Sequence, residues 1–224
     1  MLTVLGLLVF FAEPGSGIGH SDTGIRSFFT KEAEAAETQK SVEWNLRLVN
    51  AWHKLPENYS IEFTALSNGE RVDKRIYPAL QAMFDDARAE GIYPFVREGY
   101  RTTEEQQQIL DEKTQAYVDQ GLIRTVAKKK AREMVALPGT SEHQLGIAVD
   151  INADKERCSN DEVYAWLAEN AYKYGFILRY PQGKTEITGI EYEPWHYRYV
   201  GEEAAKEIHE QGICLEEYLG ETEH

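Results

Sequence analysis

The stretch "SEHQLGIAVDI", residues 141–151, limits the fold more than any other part of the chain. Ile147, Val149 and Ile151 are β-branched and alternate, the pattern of a strand with a buried face. His143 and Asp150 would share a face on a two-turn helix. The alternation and Gly146 between them favour instead a strand over about 146–152, with His143 on the incoming loop. Val149 and Ile151 then point one way, Ala148 and Asp150 the other. Gly146 permits a bend that carries the imidazole back over the Asp150 face. A chain with this segment must build a sheet whose one side is core and whose other side wants polar groups.

The rest of the chain supplies partners for that strand. Residues 31–52 lack Gly and Pro and carry Val42, Leu46 and Val49 at helical spacing, which predicts a leading helix over 31–54. Ile61 and Phe63 predict a strand after the turn at Pro56-Glu57-Asn58. Val72, Ile76, Leu80, Met83 and Ala87 predict a helix over 72–90, stopped by Gly91. A strand is expected over 92–101. A helix follows, opened by a Thr102/Glu105 capping box and ending near Gly121, and then a more polar helix over about 124–135. Ser159 and Glu162 form a second capping box. "FILRYP" and residues 187–200 predict strands, and 202–211 a last helix. This mixture has no regular βαβ order and no internal repeat. It predicts an α+β fold with a central, largely antiparallel sheet and flanking helices. The organisation is an apolar remnant and linker (1–30), the leading helix (31–54), one domain (55–220) and a short tail (221–224).

Charge and composition remove some functions. A net charge of -14 argues against nucleic acid as a partner, because phosphate binders need clustered Lys and Arg. The one basic run, Lys128-Lys129-Lys130 with Arg132, is predicted to be a solvated helix face. Residues 1–12 are nearly all apolar but shorter than the ~20 residues of a spanning helix. They predict export, as an anchor or a cleaved signal, although no Lys or Arg precedes them. The alternative is an apolar tail packed on the domain. Cys158 and Cys214 would pair in an exported protein or stay as thiols.

His143 and Asp150 converging on one face suggest a metal. Zinc takes imidazole nitrogen and carboxylate oxygen, and catalytic sites use three protein ligands with an open fourth position. Among the 6 His, His20 and His224 lie in presumed tails, His53 beside a Pro turn and His209 on an acidic helix. His196, in "EYEPWHYRYV", is the candidate third ligand. A bend at Pro194 would place Glu193 on the same side, free to handle protons. Zinc lowers the pKa of a bound water to about 7, which Glu193 would deprotonate before protonating a leaving amine. Arg101 would stabilise the developing oxyanion or hold a substrate carboxylate.

Ser141-x-His143-x-x-Gly146-x-Ala148-x-Asp150, followed by Glu193-x-Trp195-His196, resembles the zinc D-alanyl-D-alanine carboxypeptidases of the VanY type. These belong to the wider lysostaphin, carboxypeptidase and hedgehog-like metallopeptidase group. The resemblance covers about residues 55–220. It implies a zinc site in a cleft on the sheet, with His143, Asp150 and His196 as ligands and Glu193 as catalytic base. It also implies removal of the terminal D-alanine from peptidoglycan stem peptides. Arg101 and Gln106, in a Tyr100-Arg101-x-x-x-x-Gln106 pattern, match substrate-holding positions, as does Ser141. Tyr100 and Trp195 flank the motifs as further candidates for substrate contact. Glu98 stands where such enzymes often have Ser. An extracytoplasmic location follows from such a substrate, with the membrane involved only through an N-terminal anchor. Related chemistry, an L,D-carboxypeptidase or a D,D-dipeptidase, is the nearest alternative. A non-catalytic zinc module that binds wall peptide is the alternative of another class, but it would have no need of Glu193.

Overall fold

Alternation in the 147–151 segment yields the second strand of a four-stranded sheet. The computed structural model describes residues 44–223, so the apolar N-terminus and most of the expected leading helix lie outside the described residues. The sheet is built from β3 (Pro94–Glu98), β4 (Ala148–Ala153), β5 (Phe176–Leu178) and β6 (His196–Tyr199). Their spatial order is β3-β4-β6-β5, and every neighbouring pair is antiparallel. A separate small hairpin pairs β1 (Phe63–Ala65) with β2 (Arg71–Asp73). The α+β class and the antiparallel sheet therefore stand as expected.

Val96, Val149, Ile151, Phe176 and Tyr197 put one sheet face into the core. Two helices cover it. Helix α1 (Tyr77–Ala89) contributes Leu80, Met83, Phe84 and Ala87, and α4 (Asn160–Asn170) contributes Val163, Trp166 and Leu167. Burial of each large apolar side chain stabilises the domain by roughly 1.5–3 kcal/mol. The opposite face carries Asp150, paired across the ladder with His196, and Ala148, paired with Arg198. A bulge between Val96 and Glu98 brings Glu98 opposite Asp150.

Helix α2 (Thr103–Asp119) starts at the expected capping box. The Glu105 N–H donates to Thr102 Oγ1 (3.1 Å), and the Thr102 N–H donates to Glu105 Oε2 (2.7 Å). Helix α3 (Arg124–Ala131) is shorter than the expected 124–135, and its Lys128-Lys129-Lys130 run is exposed. Ser159 and Glu162 cap α4 reciprocally. The single turn α5 (Thr185–Thr188), α6 (Glu202–Gln211) and α7 (Leu215–Leu219) complete the elements.

Several expectations need correction. The helix expected over 72–90 begins at Tyr77, because Val72 belongs to β2 and pairs with Thr64. Pro78 marks this start, since proline suits a first helical turn and not an interior. The strand expected over 187–200 is confined to β6, because α5 takes its first residues and Pro194 turns the chain before His196. Helix α7 was not anticipated.

The described part of the expected leading helix is a turn at 44–46 and a bend at 50–53. Its carbonyls are claimed elsewhere. Arg198 Nη2 donates to the Asn45 and Arg47 oxygens (2.9 and 2.8 Å). The Asn50 side chain accepts the Trp52 and His53 N–H groups (3.0 Å each). Tertiary bonds thus override local helix propensity. Cys158 and Cys214 are free thiols rather than a disulfide. Cys158 Sγ accepts the Tyr93 N–H (3.3 Å), whereas Cys214 is buried at the N-cap of α7. Among the described residues, no helix is long and apolar enough to cross a membrane.

Candidate active site

Three segments bring the site together on the polar face of the sheet. A 3₁₀ turn, Glu142–Leu145, carries His143 and ends at Gly146 in the left-handed region (φ 71°). The left-handed bend favours glycine there, and a Cβ would also displace the tip of the Ile61 side chain. The turn delivers His143 over Asp150 on β4. His196 opens β6 directly opposite Asp150. Before it, the His196 N–H donates to the Glu193 oxygen (3.2 Å), closing the Pro194 turn and placing both side chains on one side.

The ligand atoms converge. Asp150 Oδ1 is 3.3 Å from His143 Nε2 and 2.9 Å from His196 Nδ1. The two imidazoles lie edge to face with centroids 4.8 Å apart. His143, Asp150 and His196 form a set whose ligand atoms all lie within 4.8 Å of one another. His143 Nδ1 donates to the Gly99 carbonyl (2.7 Å). Because a carbonyl only accepts, this bond puts the proton on Nδ1 and leaves the Nε2 lone pair facing Asp150. Burial, with Arg101 nearby, holds His143 below the usual imidazole range, which keeps it neutral as a ligand must be. Burial alone would lower His196 as well. Asp150 and Glu142 outweigh it and raise His196 to about 9. Two nitrogens and one carboxylate oxygen aimed at a common point are the donor set zinc takes, so the residues present fit the ion.

Glu193 is buried at the edge of this set, with Oε2 3.9 Å from His196 Nδ1. Burial pushes its carboxyl up to about 7, with the negative charge of Asp150 adding to the effect. A carboxyl poised there can both take and return a proton near neutral pH.

Arg101 is less free than the sequence implies. Its Nε donates to Glu98 Oε1, its Nη2 pairs with Glu98 Oε2, and its Nη1 donates to Gln106 Oε1 (3.1 Å). Nη2 also lies 3.7 Å from Asp150 Oδ2. Gln106 is itself fixed, donating from Nε2 to the Ala136 oxygen (2.8 Å).

These groups share a cleft of about 620 Å³. It is lined by Arg101, Gln106, Ser141, His143, Asp150, Glu193, Trp195 and His196, a size suited to a small peptide. Tyr100 is the one candidate outside it. Its ring packs on Phe63 (centroids 4.5 Å apart) and lines a neighbouring hollow. The other described imidazoles stay away from the site. His53 pairs with Glu221 (3.5 Å), and His209 stacks on Tyr172 (3.9 Å).

Some site residues escaped the sequence. Arg97, Lys113, Asn152, Tyr164 and Tyr180 also line the cleft. The Tyr180 ring lies 4.8 Å from His196. Behind His196 sits a fully buried cluster of Glu142, Arg179, Arg198 and Glu216. Glu142 Oε1 accepts from Arg179 Nε (2.8 Å) and Arg198 Nη1 (2.6 Å). Arg179 Nη1 and Nη2 grip both Glu216 oxygens (2.9 and 2.6 Å). Burial alone would raise Glu142, but the two guanidinium groups outweigh it and hold the carboxyl well below its usual range. A signal was available. Arg179 in "FILRYP" and Arg198 in "HYRYV" are charges within largely apolar or aromatic stretches, where they need buried partners.

Comparison with known proteins agrees with this geometry. Residues 69–202 match the family model described as VanY: D-alanyl-D-alanine carboxypeptidase. The chain belongs to the VanY family. A D-alanyl-D-alanine carboxypeptidase of Enterococcus faecalis is 55% identical to this VanY-family chain over 205 residues, covering 92% of the chain and 75% of the relative. The chain is also similar to a solved mutant of the vancomycin-resistance D,D-pentapeptidase VanY, from the VanB-type cassette, in complex with Zn(II). Identity is 60% and TM-score 0.78, over 79% of this chain and 99% of that one. VanYB in complex with D-alanine-D-alanine matches at 58% identity and TM-score 0.78, over 81% of this chain and all of that one (100%). Both the VanY-type resemblance and the zinc triad expected from the motifs therefore stand.

Proposed function

We propose that the chain removes the terminal D-alanine from peptidoglycan stem peptides ending in D-Ala-D-Ala, with Glu193 as its base and acid. Zinc-dependent D,D-carboxypeptidase activity follows from the family and the metal triad together. The observation that carries the assignment of roles is the convergence of three ligand atoms and one buried carboxyl in a single cleft. When bound, zinc supplies Lewis-acid polarisation of the scissile carbonyl and lowers the pKa of water.

The chain's own residues do the rest. Glu193 accepts the proton of the attacking water and passes it to the amine of the departing D-alanine as the C–N bond breaks. Arg101 has Nε engaged by Glu98 and Nη1 engaged by Gln106. A cation held this way beside the metal ligands suits the negative oxygen forming at the scissile carbonyl better than a two-point grip on a free carboxylate. Ser141 and Trp195 wall the same cleft and orient the peptide.

D-alanine release from a pentapeptide stem, before and after chelation and zinc add-back, tests the reaction. Zinc-dependent release of one D-alanine is expected. Release from a tetrapeptide stem alone would make the chain an L,D-carboxypeptidase, and release of the dipeptide would make it a D,D-dipeptidase. No turnover with zinc retained would leave a binding module.

We also place the enzyme outside the cytoplasmic membrane, anchored or secreted, with the apolar residues 1–12 as the export signal. The substrate lies on that side, which supports this reading. Protease shaving of intact cells should remove the domain, and protection from it would place the enzyme inside.

A further inference from the structure

The atoms behind His196 point to a residue that the reaction scheme has not used. His196 Nδ1 donates to the Asp150 carboxylate (2.9 Å) and faces the metal position, so once that nitrogen serves zinc its remaining proton sits on Nε2. That Nε2 is buried and has no hydrogen-bond partner. Glu142 Oε2 is also buried and without a partner, and the two atoms face each other at 3.8 Å. The other Glu142 oxygen is fully used, accepting from both Arg179 and Arg198. An orphan donor thus faces an orphan acceptor, and a shift of less than about 1 Å makes them a charge-assisted hydrogen bond.

We infer that Glu142 is a positioning residue for the metal centre, holding the His196 ring by Nε2–H so that Nδ1 is presented to zinc. The inference rests on the zinc reading of the site. Metal-bound imidazoles commonly donate their second N–H to a carboxylate or carbonyl, and that partner fixes tautomer and ring orientation. His143 has its partner in the Gly99 oxygen. Glu142 supplies the counterpart for His196, so adjacent residues of one 3₁₀ turn serve both imidazoles. The arginines keep the carboxylate charged and fix its aim, and Glu216 balances Arg179 from helix α7. The sequence neighbour of one ligand therefore orients the other.

The test is zinc affinity by competition with a chelating indicator, on folded Glu142→Gln protein alongside wild type. The expected result is a Kd raised by about 10–100-fold. Glu216→Gln disturbs the same cluster without facing His196, and its zinc Kd should stay within about threefold of wild type. An unchanged Kd in Glu142→Gln, or an equal loss in both variants, would overturn the proposal, because metal affinity would then ignore Glu142 or merely follow stability. Should Glu142→Gln fail to fold, the wild-type zinc protein still decides. Nitrogen-15 NMR of its histidines should show His196 metallated at Nδ1, with a slowly exchanging Nε2–H. Metallation at Nε2 would refute the inference. Wild type that binds no zinc would instead remove the reading of the site on which it rests.

Discussion

Two charged patches lie on the same face of the sheet, two residues apart on β6, and they are built on opposite plans. At His196 the partners are Asp150, His143 and Glu193, open to a cleft, with Arg101 the nearby cation. Arg198 pairs with Glu142, which also pairs with Arg179, which in turn grips Glu216, all sealed from water, with two charges of each sign. The sealed patch is balanced in charge, and only Glu142 Oε2 is left to face His196. The open one gathers acceptors and lone pairs that a divalent cation would complete. The difference shows that burial alone does not mark a reactive site. Buried charge that is matched one to one holds structure, whereas buried charge left unmatched beside a cleft awaits a ligand.

Substitutions that lower function on one side and stability on the other would sharpen this contrast. His196→Ala should have the largest effect, losing stoichiometric zinc and with it D-alanine release, as metal analysis of the purified variant would show. Retained zinc would remove His196 from the ligand set. Glu193→Ala should keep zinc and slow turnover by about 10²–10⁴-fold. Near-normal kcat there would mean the base lies elsewhere. Arg198→Met belongs to the sealed patch and should lower stability by about 3–5 kcal/mol in urea unfolding, because Glu142 loses half of its compensation. A tolerated Arg198→Met would erase the distinction between the patches. Arg101→Lys should lower kcat/KM by less than Glu193→Ala, since an ammonium cannot serve Glu98, Gln106 and the substrate oxygen together.

The smallest effect is one of pH. Burial alone would raise Glu216, but Arg179 outweighs it, so the folded carboxyl sits below its ordinary value of 4.5. A lowered folded value means that its stabilisation is fully present above 4.5 and is lost as pH falls below it. Glu216→Gln should therefore be less stable at neutral pH, with a shallower loss of stability on acidification. Parallel acid limbs for the two proteins would contradict the pairing.

Local signals made part of this legible in advance. The alternation in 147–151 placed β4, two capping boxes placed the starts of α2 and α4, and the spacing of His143, Asp150, Glu193 and His196 gave the reactive patch. The sealed patch was not legible, because its members come from four distant places and no short pattern joins Glu142, Arg179, Arg198 and Glu216. The same long-range bonds replace helix in the described part of the expected leading helix, where the Asn45 and Arg47 carbonyls serve Arg198. Pro194 was a better guide than apolar spacing, and Pro78 marks the helix start that the spacing from Val72 missed, since proline acts on its own backbone and needs no partner. Tyr100 stood next to Arg101 in a motif, yet the chain turned its ring to Phe63 and away from the cleft.

The bond from Asn50 Nδ2 to Glu216 Oε1 (3.0 Å) has a bearing on how the enzyme is made. It spans 166 residues, and the Arg198 bond to Asn45 spans 153. Contacts of such sequence separation form slowly, and they cannot form while the later partner is still unsynthesised. A nascent chain emerging residue by residue would hold Arg179 without its Glu216 counter-charge until α7 is out. The sealed cluster behind His196 is thus finished only by a helix that the chain adds after every residue of the metal cleft.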